Sequence, residues 1–167
     1  DPEIKNIQLP SEIEEGEGVT IEFDVEDKGE DDEITIEIDW GDGRGTSVQT
    51  FENLGTAPFN FSNASPYIYV DDDPSGTDSD EYTIKITVKD DDEAETVEER
   101  TIIVKNVKPT DIDLGGDREA ALGESVTVAV QAFEDPGVED THTSTWIVTS
   151  PGGAANTVSG QADSLGF

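Results

Sequence analysis

Two stretches of this chain alternate apolar and polar residues with period two, and that alternation leaves few folds open. In Ile34-Thr-Ile-Glu-Ile-Asp-Trp40, the residues Ile34, Ile36, Ile38 and Trp40 fall on one side, and Thr35, Glu37 and Asp39 on the other. In Tyr82-Thr-Ile-Lys-Ile-Thr-Val88, Tyr82, Ile84, Ile86 and Val88 oppose Thr83, Lys85 and Thr87. Period two in β-branched and aromatic residues is the signature of a strand. One apolar and one polar face is how an antiparallel sheet meets a core on one side and water on the other. The first stretch runs into Gly41-Asp-Gly43 and the second into Asp90-Asp-Asp92. The pair predicts an all-β sandwich with acidic loops.

The same pattern recurs along the first two thirds of the chain. Strands are expected at 4–9, 19–25, 34–40, 46–51, 67–70, 82–89 and 96–105. Between them lie a turn at 14–18, a charged loop at 26–33, an irregular stretch at 53–65, a loop at 71–80 rich in Asp, Ser, Gly and Pro, and a turn at 90–95. About seven short strands with turn signals between them fit a sandwich of about 100 residues. Asn106-Val-Lys-Pro-Thr110 reads as a linker, because Pro109 cannot donate to a strand ladder. The pattern then restarts. Asp111-Ile-Asp-Leu114 echoes Ile7-Gln-Leu9, Leu122-Gly-Glu-Ser-Val-Thr-Val128 echoes Glu15-Gly-Glu-Gly-Val-Thr-Ile21, and Trp146 stands where Trp40 did. This is an internal repeat with a period of roughly 100 residues. It gives one module at 1–108 and the N-terminal half of a second at 109–167. Half a sandwich is expected to leave the Trp146 strand unpaired, its apolar face bare and the chain frayed beyond about Thr149. A chain that opens on Asp1-Pro2 and stops there is expected to be a piece of something longer.

Composition removes whole classes of function. The 167 residues include 41 acidic and 9 basic ones, for a formal net charge of -32. Such a charge repels nucleic acid and anionic lipid surfaces and favours cations. Adaptation to high salt, divalent-metal binding and plain solubility all account for it. The 32% hydrophobic content is low, but periodic apolar positions argue against disorder. There is no cysteine and one histidine, His142, so thiol chemistry, zinc sites and serine–histidine–aspartate arrangements are set aside. No apolar run approaches the ~18 residues of a membrane span, and none reads as a signal peptide. Adjacent carboxylates are expected by chance in so acidic a chain, and none lies in an apolar strand that would raise its pKa; catalysis is therefore not expected. Trp40 and Trp146 are expected in the core. Phe51, Phe59, Phe61 and Tyr67 are the candidates for an exposed, sugar-stacking face. Asn60-Phe-Ser62 and Asn63-Ala-Ser65 match the N-glycosylation pattern, which is short enough to occur by chance.

Taken in order, the Trp40-Gly-Asp-Gly43 turn, the Tyr69 strand, the Tyr82–Asp92 strand and the Asn106–Thr110 exit resemble the polycystic kidney disease (PKD) domain. The resemblance spans about residues 3 to 108. It departs at Ile38-Asp39-Trp40, where many members read Trp-Asp-Phe, and at the long 71–80 insertion. Residues 110–167 look like the first half of another copy, with Ser150-Pro-Gly-Gly153 in place of Gly-Asp-Gly. The resemblance implies an Ig-like antiparallel β-sandwich in tandem. It implies a non-catalytic structural, adhesion or spacer module of a larger secreted or cell-surface protein, whose partners are neighbouring modules of its own chain and other surface proteins. The alternative it implies is an accessory module of a secreted hydrolase that binds polysaccharide or protein.

Ig-like connectivity would bring the loops 26–33 and 90–95 to one pole. Asp27, Asp31, Asp32, Asp90, Asp91 and Asp92 gather there as ligands for calcium, which takes about six to eight oxygens at roughly 2.3–2.6 Å. The opposite pole would hold Asp42, Asp71, Asp72 and Asp73, with Asp135 and Asp140 of the second module arriving at the joint. Asp42 is expected first as the cap of its own glycine turn. Neither set has EF-hand spacing.

Overall fold

The computed structural model describes all residues except 30, 31, 53–56, 73, 74, 122, 125, 150, 151, 154 and 163–167, with backbone alone at 155–162. The described chain is all-β and divides into two compact units, Asp1–Asn106 and Val107–Phe167.

Unit 1 contains β1 (Glu3–Gln8), β2 (Glu12–Glu14), β3 (Gly18–Val19), β4 (Glu22–Glu26), β5 (Ile34–Asp39), β6 (Thr46–Phe51), β7 (Phe59–Ser62), β8 (Tyr67–Ile68), β9 (Ser79–Lys89) and β10 (Glu95–Lys105). They form a three-stranded sheet in the order β1-β4-β7, a five-stranded sheet in the order β2-β10-β9-β5-β6, and a small β3-β8 pair. Every pairing is antiparallel except β2 with β10. Both larger sheets turn their apolar sides to one core. Ile34, Ile36, Ile38 and Trp40 of the β5 stretch are each 1% exposed, while Phe23 and Val25 of β4 and Phe61 of β7 are buried in the same cluster. Burying one such aliphatic side chain is worth about 1.5–3 kcal/mol, so the alternation that defined the strands also holds the layers together.

Trp40 fixes the middle of this core. Its indole N–H donates to Ser47 Oγ at 3.1 Å, Tyr67 stacks on it at 4.4 Å with rings within 5° of parallel, and its carbonyl accepts the Tyr69 hydroxyl at 2.7 Å. The chain then turns at Gly41, at φ 80°, where a Cβ would overlap the backbone of Thr83. Only glycine allows both.

Three expectations are corrected here. The stretch 53–65 is not irregular throughout, because Phe59–Ser62 pairs with β4 as β7. Its side chains alternate in burial, and Phe61, proposed as an exposed sugar platform, is 2% exposed. The expected strand at 19–25 is broken after Val19, and its two pieces pair with different partners, β3 with β8 and β4 with β1 and β7. The break is held by Asn63, which accepts the Ile21 N–H and donates to the Val19 and Ser65 carbonyls. That side chain of a glycosylation-like motif is a structural clamp.

Unit 2 contains β11 (Thr110–Asp113), β12 (Ala132–Glu134), β13 (His142–Thr149) and β14 (Ala155–Ala162), paired as β11-β12 and β13-β14. The Trp146 strand is not unpaired: β14 matches it residue for residue from His142↔Ala162 to Thr149↔Ala155, because Gly152-Gly153 turns the chain back. No strand forms at 126–128, where Val126 and Val128 stand 49% and 46% exposed. Among the described residues none of the buried apolar core lies in this unit, and an open cavity of about 330 Å³ is lined by Pro109, Ile112, Leu114, Val130, Phe133 and Trp146 among others.

Candidate functional site

The acidic residues fall into three groups among the described residues, each with donor atoms within 4.8 Å of one another: Asp27, Asp32 and Asp90; Glu15, Asp71 and Asp72; and Asp135, Asp140 and His142.

The first group sits where β4, β5 and the β9–β10 hairpin end. Asp27 follows β4 directly, and its Oδ2 accepts the Gly29 N–H at 3.0 Å, which curls the loop back on itself. Its side chain is only 7% exposed, its Oδ1 is buried with no hydrogen bond, and the Asp1 amino group is 3.8 Å from that atom. Asp32 packs on Gly29, where a Cβ would overlap its carboxylate. Asp90 closes the hairpin: its N–H donates to the Ala94 carbonyl at 3.1 Å and its Oδ1 accepts the Ala94 N–H at 2.8 Å. A cavity of about 10 Å³ is bordered by Asp27, Gly29 and Asp32 and by the apolar Val25, Ile34 and Phe59.

The two aspartates are electrostatically unequal. Burial pushes the Asp27 carboxyl up, but hydrogen bonds from the Gly29 N–H and from Asp32 outweigh it and leave it below its ordinary value. Asp32 moves the other way, raised first by the hydrogen bond to Asp27, then by burial and by the charges of Asp91 and Asp90. A proton held between two carboxylates and a cation held among three are alternative answers to the same repulsion. The donors are all carboxylate oxygens, the kind of ligand a hard cation takes. Asp91 contributes only its charge, Asp92 is exposed, and Asp31 lies outside the described residues.

The second group is more deeply buried, with Glu15 2%, Asp71 8% and Asp72 4% exposed. It ties the β2–β3 turn to the segment after Tyr69: the Glu15 N–H donates to the Lys105 carbonyl at 3.0 Å and the Gly16 N–H to the Tyr69 carbonyl at 2.7 Å. Sequence reasoning named Asp71 and Asp72 but missed Glu15. The signal was available, because Ile13 is buried and period two carries the inward side on to Glu15, as it carries Tyr69 on to Asp71. Asp73 lies outside the described residues.

Asp42 joins none of these groups. Its Oδ1 accepts the Arg44 N–H at 3.0 Å and its Oδ2 the Tyr67 hydroxyl at 2.6 Å, so both oxygens serve the turn and the Trp40–Tyr67 stack. In unit 2, Asp135 meets His142 Nε2 at 2.7 Å and accepts the Gly137 N–H at 3.1 Å, while Phe133 lies against the imidazole at 4.6 Å. His142, set aside on sequence as a solitary histidine, therefore shares its surroundings with Asp135 and Asp140. The sugar-stacking candidates Phe51 and Phe59 pack on each other at 4.7 Å, and Phe51 meets Phe61 at 6.1 Å.

Compared with protein-family models, curated proteins and solved structures, the chain matches none.

Proposed function

We propose that unit 1 is a PKD-like, Ig-like sandwich acting as a non-catalytic structural or spacer module of a larger secreted or cell-surface protein, stiffened by calcium at Asp27, Asp32 and Asp90. The observation that carries the reading is the Asp27 carboxylate, buried with one oxygen free of hydrogen bonds and two further carboxylates within reach. A cation there would cross-link the end of β4, the approach to β5 and the β9–β10 hairpin. Those segments belong to both larger sheets, so the ion would resist the splaying of the sandwich at this pole. Stiffness of that kind is what a spacer requires, and no step of bond-making chemistry is needed.

The test is a thermal melt of residues 1–167 in EDTA, in millimolar calcium and in sodium chloride of matched and higher ionic strength. A ligand specific to the folded state adds about 2.7 kcal/mol at a hundredfold saturation. Calcium should raise the midpoint where sodium does not. Asp27→Asn should abolish the calcium increment, and Gly29→Ala should reduce it by driving Asp32 out of place. Equal stabilisation by sodium chloride would mean screening of the net charge, and the calcium reading would be dropped.

A further inference from the structure

The exposed sheet edges of unit 1 are not protected alike. At one side of the three-stranded sheet, β1 carries Glu3 and Lys5, breaks register between Lys5 and Gln8, and holds Asn6 at φ 53°. At one side of the five-stranded sheet, β2 is three residues long and carries Glu12 and Glu14. Charges, shortness and irregular register are the devices that keep sheet edges from pairing with other chains. The other side of the five-stranded sheet has none of them. β6 is Thr46-Ser-Val-Gln-Thr-Phe51, six residues in unbroken register with β5, without a charge or a proline. Among the described residues β5 is its only strand partner. Thr46, Val48 and Thr50 are exposed, Val48 by 56%.

On its exposed face β6 lies beside Glu37 and Asp39 of β5, opposite Val48 and Thr46, but its other side is neutral. A groove of about 350 Å³ opens between Ser47 and Gln49 of β6 and the segment from Asn63 to Tyr67, and every residue lining it is uncharged. The neutrality of the strand recurs in unit 2. There β14 follows the Trp146 strand as β6 follows the Trp40 strand, and its sequence, Ala-Asn-Thr-Val-Ser-Gly-Gln-Ala, holds no charge either. In a chain with 30% charged residues, both units leave the same strand neutral.

We propose that β6 is the edge through which two copies of this chain pair, antiparallel about a two-fold axis, when salt screens their charge. The occupant follows from electrostatics. A cationic partner would be drawn to the acidic loops, not to an uncharged edge; of the outer strands of the two larger sheets, β7 is also uncharged, but it is four residues long against the six of β6. A second copy, at -32, can approach closely only where carboxylates are absent. Two-fold pairing sets β-branched Thr46, Val48 and Thr50 against residues of the same kind, and such cross-strand pairs are favourable. At about 0.1 M salt the Debye length is roughly 10 Å and repulsion between copies persists; at about 1 M it falls to roughly 3 Å. This inference does not rest on calcium.

Sedimentation equilibrium of residues 1–167, with EDTA throughout, tests it at roughly 0.1 M and 2 M sodium chloride. The expected result is a monomer in the first and a dimer in the second. The double variant Val48→Glu, Thr50→Glu should weaken the high-salt dimer at least tenfold, and Val48→Thr should leave it intact, with circular dichroism melts confirming that each variant is folded. A monomer at high salt, or a dimer indifferent to the two glutamates, would overturn the proposal.

Discussion

Asp24 shows how one carboxylate can stabilise a surface that is otherwise crowded with them. It lies on β4 and accepts hydrogen bonds from Asn6 Nδ2 at 2.7 Å and Asn60 Nδ2 at 3.0 Å, so it joins all three strands of the smaller sheet. Those two donors hold its carboxyl below the ordinary 3.8. A pKa lowered by folding means the native state favours the ionised form. The stability it brings is present above the ordinary value and is lost as pH falls through the folded one. Wild type is therefore expected to be more stable than Asp24→Ala near pH 6, and the gap should narrow as pH falls below the ordinary 3.8. Urea denaturation of the two proteins across that range measures it, and comparing them cancels the general effect of acid on so negative a chain. At this scale the sequence was legible for Trp40 and Asp42, whose roles follow from strand register and turn chemistry. It was not legible for Asn63, whose partners Val19 and Ile21 lie far along the chain.

At the scale of elements, the β9–β10 hairpin is the longest regular feature, paired without interruption from Glu95↔Lys89 to Lys105↔Ser79. Its tip is a turn in which the Glu93 N–H donates to the Asp90 carbonyl at 3.2 Å and Glu93 adopts φ 65°. A side chain in that left-handed region costs roughly 1–2 kcal/mol relative to glycine, partly offset by glycine's greater freedom when unfolded. Glu93→Gly is expected to raise stability by about 1 kcal/mol, measured by urea unfolding, without altering Asp90. Of the strands with clean alternation, 34–40 and 82–89 were visible in sequence to within three residues, while 19–25 was legible in its inward face but not in its break after Val19. β7 was not, because it is only Phe59-Asn-Phe-Ser62 and its pairing with β4 depends on contacts made across the fold. β14 was missed for the opposite reason: its Gly, Ala and Ser composition reads as loop, and only the neighbouring β13 gives it a ladder to join.

For the whole molecule, the two units differ in kind. All the buried apolar residues of the core cluster lie in unit 1, while Ile112, Val138, Ile147 and Val148 of unit 2 are 58–70% exposed. Residues 1–106 are therefore expected to fold alone, with a melting midpoint within roughly 3 °C of that of 1–167, since among the described residues unit 2 holds none of the buried apolar core. A midpoint far below that value would show that unit 2 supports unit 1. Sequence alone determined the all-β class, the inward face of the long strands and the acidic character of the loops. Those depend on the two-residue repeat of a strand and on composition, both of which are local. Tertiary structure decided which carboxylates meet. It brought Asp27 and Asp32 to Asp90, and Glu15 to Asp71 and Asp72. Such groupings are set by how strands distant in the chain pair and pack, and a neighbouring residue in sequence carries no record of that.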